Sequence, residues 1–158
     1  MKNLNKTNVM RLLDQKKAVY TPHSYADTDA ISGMEVATVL GQDPNRVFKT
    51  LVTESSTKQH YVFLVPVCRE LNLKKAAQAV GEKKLEMLKA KSLLPLTGYI
   101  HGGCSPIGMK KPFPTVIDST AQGFDTILFS AGKIGYQVEL SLQELKKVLD
   151  FHLADVAD

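Results

Sequence analysis

The chain has 158 residues, 44% of them hydrophobic and 23% charged, which fits one ordinary globular domain with its own core and excludes wholesale disorder. A formal charge of +4 admits an acidic partner such as RNA without requiring one, and no apolar run approaches the ~20 residues of a membrane span. Cys68 and Cys104 are too few for a disulfide framework and residues 1–6 lack a signal-peptide core behind them, so a cytoplasmic protein with reduced thiols is expected.

Thr7 can cap a first helix that carries Val9, Leu12 and Leu13 on one face and ends near Lys17. Residues 19–25 read as a short extended piece that Pro22 confines to a sheet edge or a break, with Tyr25 either core or a hydroxyl presented at a site. After a loop at residues 27–30, Ser32-Gly33-Met34-Glu35 has capping-box spacing, and Val36, Val39 and Leu40 follow with helical period until Gly41. Asp43-Pro44-Asn45-Arg46 is a turn feeding the apolar run Val47-Phe48-Lys49-Thr50-Leu51-Val52.

Strand alternation in that run puts Val47, Lys49 and Leu51 on one face and Phe48, Thr50 and Val52 on the other. An ammonium among aliphatic side chains is costly to desolvate unless acceptors meet it. Lys49 is therefore either at a solvated rim or sheet edge, or in a cleft where it holds an anion such as a phosphate. Residues 54–59 form a polar turn and 61–67 a second apolar strand, so 47–67 should be an antiparallel hairpin.

Asn72 can cap a helix with Leu73, Ala76, Ala77 and Val80, closed by Gly81. Residues 82–97 fit strand or helix, and Pro95 should interrupt any helix there. The lysines at 74, 75, 83, 84, 89 and 91, against Glu82 and Glu86, are either a solvated face or a nucleic-acid track. Next, residues 97–108 hold four glycines and a proline, which rules out an ordinary element and suits either a tight turn or a concavity of backbone N–H groups.

Residues 114–118 and 125–130 suit two strands, and 131–135 turn into a last strand ending near Leu140. Ser141-Leu142-Gln143-Glu144 is a further capping box, opening a helix through Leu145, Val148 and Leu149, and residues 155–158 should fray. Strands and helices mixed without regular alternation point to an α+β fold, and neither a Walker loop nor a dinucleotide fingerprint is present. His101 and Cys104 suggest an imidazole-activated thiol, but no third orienting group accompanies them. His23, His60, His101 and His152 fit no metal-ligand spacing, so neither metal nor cofactor is expected.

Taken in order, Val47-Phe48-Lys49-Thr50-Leu51, Leu73-Lys74-Lys75-Ala76, Thr97-Gly98-Tyr99 leading to Gly102-Gly103-Cys104-Ser105-Pro106-Ile107-Gly108, and Ser130-Ala131-Gly132-Lys133 resemble the YbaK/EbsC family across nearly the whole chain. No one motif carries the resemblance; their order and spacing do. The family contains free-standing bacterial Cys-tRNA(Pro) deacylases and is related to the editing domain inserted in bacterial prolyl-tRNA synthetases. The resemblance implies a single compact α+β domain over residues 1–158 around a mixed, barrel-like sheet, and hydrolysis of a mischarged aminoacyl-tRNA ester.

The family's lysine motif falls on Lys49, its glycine-to-proline loop on Gly102 and Pro106, its site tyrosine on Tyr25 and its late serine on Ser130. That implies Lys49 as binder of the tRNA 3′ end, Gly102 and Gly103 facing the ester carbonyl, and Tyr25, Thr50 and Ser130 shaping the pocket. Some relatives carry an aromatic near Ser32 and an aspartate near Gln137, so these two positions bear on amino-acid specificity. Cys104 stands where relatives often have an aliphatic residue, which argues against a thiol nucleophile supplied by the protein. With no obvious protein base, the family's substrate-assisted route is expected, in which the thiol of the attached cysteine attacks its own ester. Implied partners are the tRNA(Pro) acceptor end and prolyl-tRNA synthetase; the oligomeric state is left open. Alternatives are a deacylase that clears alanine or serine through water, and a non-catalytic module binding RNA ends or a synthetase. The low aromatic content, with no Trp, disfavours a pure binder.

Overall fold

Side-chain caps start four of the five helices in the computed structural model, which describes residues 6–158; the reading made of residues 1–5 lies outside them. Helix α1, Asn8–Gln15, begins where the Thr7 hydroxyl accepts from the Met10 N–H, and it buries Val9, Met10 and Leu13. Helix α2, Gly33–Val39, has both halves of the capping box: the Glu35 N–H donates to Ser32 Oγ at 3.2 Å, and the Glu35 carboxylate accepts from the Ser32 N–H at 3.0 Å. Asn72 caps α3, Leu73–Val80, and Ser141 caps a fifth helix described below. Each such cap contributes about 1 kcal/mol, which is why these starts were readable from local sequence.

Among the described residues, eight strands form two sheets. Strands β1 (Thr21–Ser24), β6 (Ile127–Ser130) and β7 (Tyr136–Leu140) make an antiparallel sheet ordered β1-β7-β6, with Pro22 on its edge as expected. The other sheet, ordered β4-β2-β3-β5-β8, combines β2 (Phe48–Ser55), β3 (His60–Pro66), β4 (Leu85–Met87), β5 (Thr115–Asp118) and β8 (His152–Ala154). The β2–β3 pair is the expected hairpin, while β3–β5 and β5–β8 are parallel. Both sheets face one core: Phe48, Val52, Leu64 and Ile117 meet Ile127, Phe129, Val138 and Leu140, with Val9 and Leu13 of α1 among them. A bridge between Val47 and Leu128 joins the sheets. This is the single α+β domain expected, with the barrel-like sheet realised as two sheets around a shared core.

Three local expectations are corrected. Residues 82–97 divide into β4 and a helix α4, Ala90–Thr97, which continues through Pro95. Pro95 and Lys91 both lie exposed, so the carbonyl left without its i+4 partner is on the solvent side. The last turn is held by Thr97 Oγ1 donating to the Leu93 carbonyl and the Gly98 N–H to that of Leu94, each at 2.8 Å. The final helix α5 is only Leu142–Leu145; the chain then turns at residues 146–149 and descends into β8.

Residues 155–158 do not fray. Val156 and Ala157 are buried, and their N–H groups donate to Asp118 Oδ1 at 2.9 and 3.0 Å. Leu71 bridges Ala157, and the Asp158 N–H donates to the Glu70 carbonyl at 3.0 Å. The polar end of the chain is thus a splint along the 67–72 turn, fixed by an acidic residue at the end of β5.

Candidate active site

Strand β2 is paired unevenly, and the cleft follows from that. On one side β3 runs the length of it, from Phe48 opposite Pro66 to Glu54 opposite His60. On the other side β4 covers only residues 53–55, and Val47 touches Leu128. Between these contacts the edge carries no strand among the described residues. The Val67 N–H donates to the Val47 carbonyl and the Ser55 N–H to that of Gln59, so odd-numbered residues turn toward β3; the Leu88 N–H donates to the Val52 carbonyl, so even-numbered ones turn away. Thr50 therefore presents its backbone N–H and C=O to the uncovered edge. Its Oγ1 is buried without a hydrogen-bond partner, a state that favours an incoming polar group.

A cleft of about 390 Å³ opens along this gap. Of the residues singled out from sequence, Lys49, Gly102, Tyr25, Ser32, Thr50, Ser130 and Gln137 line it, brought from six separate segments. Lys49 stands on the wall with its side chain 27% exposed, and its Nζ lies 3.3 Å from the Glu70 carboxylate. Lysine at a rim and lysine in a cleft turn out to be one arrangement. Gly102 has φ +89°, a conformation that favours glycine, and a Cβ there would come within 3.1 Å of Ile31.

Other predicted residues carry different duties. Ser32 reaches the cleft but its Oγ is engaged as the α2 cap. Gln137 is buried in a reciprocal amide pair with Gln42, at 2.8 and 3.2 Å, which ties β7 to the end of α2. Ser130 Oγ accepts from the Gly132 N–H at 3.1 Å and holds the turn after β6. Gly103 and Pro106 are not on the cleft wall. The Gly103 N–H already donates to the Ile100 carbonyl at 3.0 Å, and a Cβ there would press to 3.2 Å from the Ile134 backbone nitrogen, so Gly103 permits close packing with its N–H engaged inside the loop. Pro106 is buried behind the loop. Glu70 and Gln42 are contributions the sequence reading did not single out, while Glu35 entered it only as the α2 cap and His101 only as a partner for Cys104. Glu70 meets Lys49 and Gln42 meets Gln137 across 21 and 95 positions, so no local pattern marked them.

Cys104 lines the cleft, and burial pushes its thiol up to about 12, which keeps it protonated at neutral pH. Alkylation with iodoacetamide at neutral pH should therefore modify exposed Cys68 well before Cys104, and Cys104→Ala should retain catalysis within about twofold of the unmodified protein. Peptide mass mapping over a time course checks the first and a deacylation assay the second; rapid labelling of Cys104 would contradict its burial. The Glu35 carboxylate is held below the usual carboxylate range, first by the Ser32 N–H and then by that of Ile31, and is a poor base in this state. Among the described residues no group of three or more His, Cys, Asp and Glu side chains is placed to hold a metal ion, and no helix is long and apolar enough to cross a membrane.

The sequence model of the aminoacyl-tRNA editing domain matches residues 28–148. The chain belongs to this aminoacyl-tRNA editing family. It is 44% identical over 156 residues to an Enterococcus faecalis protein named "Putative Cys-tRNA(Pro)/Cys-tRNA(Cys) deacylase EbsC", covering 98% of this chain and 95% of that one. It is also 29% identical over 108 residues to the proline–tRNA ligase of Pelobacter propionicus, covering 68% of this chain and 19% of the ligase. Among solved structures, one titled "a putative trans-editing enzyme for prolyl tRNA synthetase" superposes with a TM-score of 0.80 at 23% identity, covering 96% of this chain and 98% of that one. A hypothetical protein superposes with a TM-score of 0.87 at 20% identity, covering 96% and 100%. At those identities the two structures speak for the fold alone, and the editing domain here shares it along nearly its whole length.

Proposed function

We propose that the chain, acting as one editing domain over residues 1–158, is a trans-editing deacylase that hydrolyses Cys-tRNA(Pro). The observation that carries this reading is the cleft itself. It gathers a cation at Lys49, unpaired polar groups of Thr50 and the Gly102 backbone, with its thiol neutral and its carboxylate engaged elsewhere. An aminoacyl ester is already activated, so such a site needs to hold the 3′ end, stabilise an oxyanion and place a nucleophile. The sequence likeness to EbsC supports the substrate.

In this mechanism Lys49 holds a phosphate or ribose oxygen of the terminal nucleotide. The backbone at Gly102 faces the ester carbonyl, while Tyr25, Thr50 and Ser130 shape the space for the amino acid. The substrate's cysteine sulfur bonds to its own carbonyl carbon, the bond from that carbon to the ribose oxygen breaks, and the thiol proton passes to the leaving ribose oxygen. The resulting four-membered thiolactone is then opened by water to free cysteine. A cleft that grips only the acceptor end leaves choice of tRNA to a partner, and prolyl-tRNA synthetase is that partner in this reading.

A second reading has a specific support. His101 lies on the cleft wall and can activate water, which would clear alanine or serine without a substrate thiol. Release of amino acid from Cys-tRNA(Pro), Ala-tRNA(Pro) and Ser-tRNA(Pro), measured side by side, separates the two. Release of cysteine alone is the expected result. Release of alanine or serine moves the mechanism to water, and no release from any substrate removes the enzyme and leaves a binding module.

A further inference from the structure

The Lys49 ammonium is met by a carboxylate from outside the cleft wall. Glu70 Oε2 lies 3.3 Å from Lys49 Nζ, with the Glu70 side chain 82% exposed. Its main chain is the opposite of free: the Glu70 carbonyl accepts from the Asp158 N–H, Leu71 bridges Ala157, and the Asn72 N–H donates to the Val156 carbonyl at 2.8 Å. The splint therefore fixes where the carboxylate is rooted, while the side chain can rotate into water without moving the backbone.

We propose that Glu70 is the resident counter-ion of the cleft, holding Lys49 until an anionic phosphate or ribose-phosphate group of the substrate displaces it. The proposal rests on the reading of Lys49 as an anion holder. An ion pair exposed to water on its glutamate side contributes little to stability, so an anion with several acceptor oxygens can replace the carboxylate. After displacement the carboxylate stays tethered near the bound anion and repels it across water. Glu70 thus competes for Lys49 before binding and opposes the ligand after it. Both effects weaken the complex without entering the chemical step, and both depend on Lys49. The consequence is a cleft less prone to fill with free phosphates and nucleotides, because only a ligand with additional contacts repays the displacement.

The test uses the full chain and adenosine monophosphate as probe, with binding followed by NMR titration in the unmodified protein, Glu70→Gln, Lys49→Ala and the double variant. Glu70→Gln should tighten binding about three- to tenfold, and the gain should vanish in the Lys49→Ala background. In turnover, Glu70→Gln should lower KM by a similar factor with kcat unchanged. Binding by Glu70→Gln equal to or weaker than the unmodified protein overturns the counter-ion role while leaving Lys49 as the anion holder. A kcat loss at constant KM also overturns it, assigning Glu70 to the orientation of Lys49 during chemistry. Equal binding by Lys49→Ala and the unmodified protein, or no binding by either, overturns the reading of Lys49 itself.

Discussion

Replacing Lys49 by alanine should lower single-turnover deacylation of Cys-tRNA(Pro) by about 10²-fold, the scale of losing the contact that positions the reacting group. The fold should survive, because the Lys49–Glu70 pair is largely exposed on the glutamate side and contributes about 1 kcal/mol or less. Circular dichroism and a urea midpoint close to those of the unmodified protein would establish that. Lys49→Arg should recover part of the activity: it keeps the charge but replaces a compact ammonium with a planar fork that fits the wall less well. A fully active Lys49→Ala protein removes the assignment of the cleft.

Asp118→Ala should destabilise the protein by about 3–5 kcal/mol, measured as a fall in the urea midpoint, because several buried donors lose their acceptor together. Asp118 is 1% exposed and accepts from the N–H groups of Val156 and Ala157 and from both the N–H and the hydroxyl of Thr120, the hydroxyl at 2.6 Å. Burial alone would raise its pKa, but the hydrogen bonds led by Thr120 outweigh it, and the folded value lies below the ordinary 3.8. A depressed carboxylate stabilises the fold above the unfolded pKa and loses that contribution as pH falls through the folded one. The unmodified protein should thus lose stability below about pH 3.8 more steeply than Asp118→Ala. Equal slopes would show that another carboxylate governs the acid transition.

What was legible in the sequence was what local rules decide. The caps at Thr7, Ser32, Asn72 and Ser141 are written within four residues, and the alternation around Lys49 placed the strand that walls the cleft. Where the deciding partner was distant, the reading failed. The last four residues are polar at both ends and suggest fraying, but their acceptor is Asp118, 38 and 39 positions earlier. Pro95 argues against a helix until its exposure is known, and glycine content alone did not show that the Gly103 N–H is taken by the nearby Ile100 carbonyl. Glu70 was invisible as a site residue, because nothing within the 67–72 turn points to a lysine 21 positions earlier.

The uncovered edge of β2 has a consequence for how such a cleft changes over evolutionary time. The main-chain groups that Thr50 and Gly102 bring to the cleft are not removed by substitution of neighbouring side chains. Side chains such as Ser32, Cys104 and Gln137 also line the cavity and set its shape. On the proposed reading, ester binding at the main chain and amino-acid choice at these side chains can therefore change separately. On that reading, replacements at 32 or 137 are where a change of the amino acid removed would be sought, while the main chain of the cleft stays as it is.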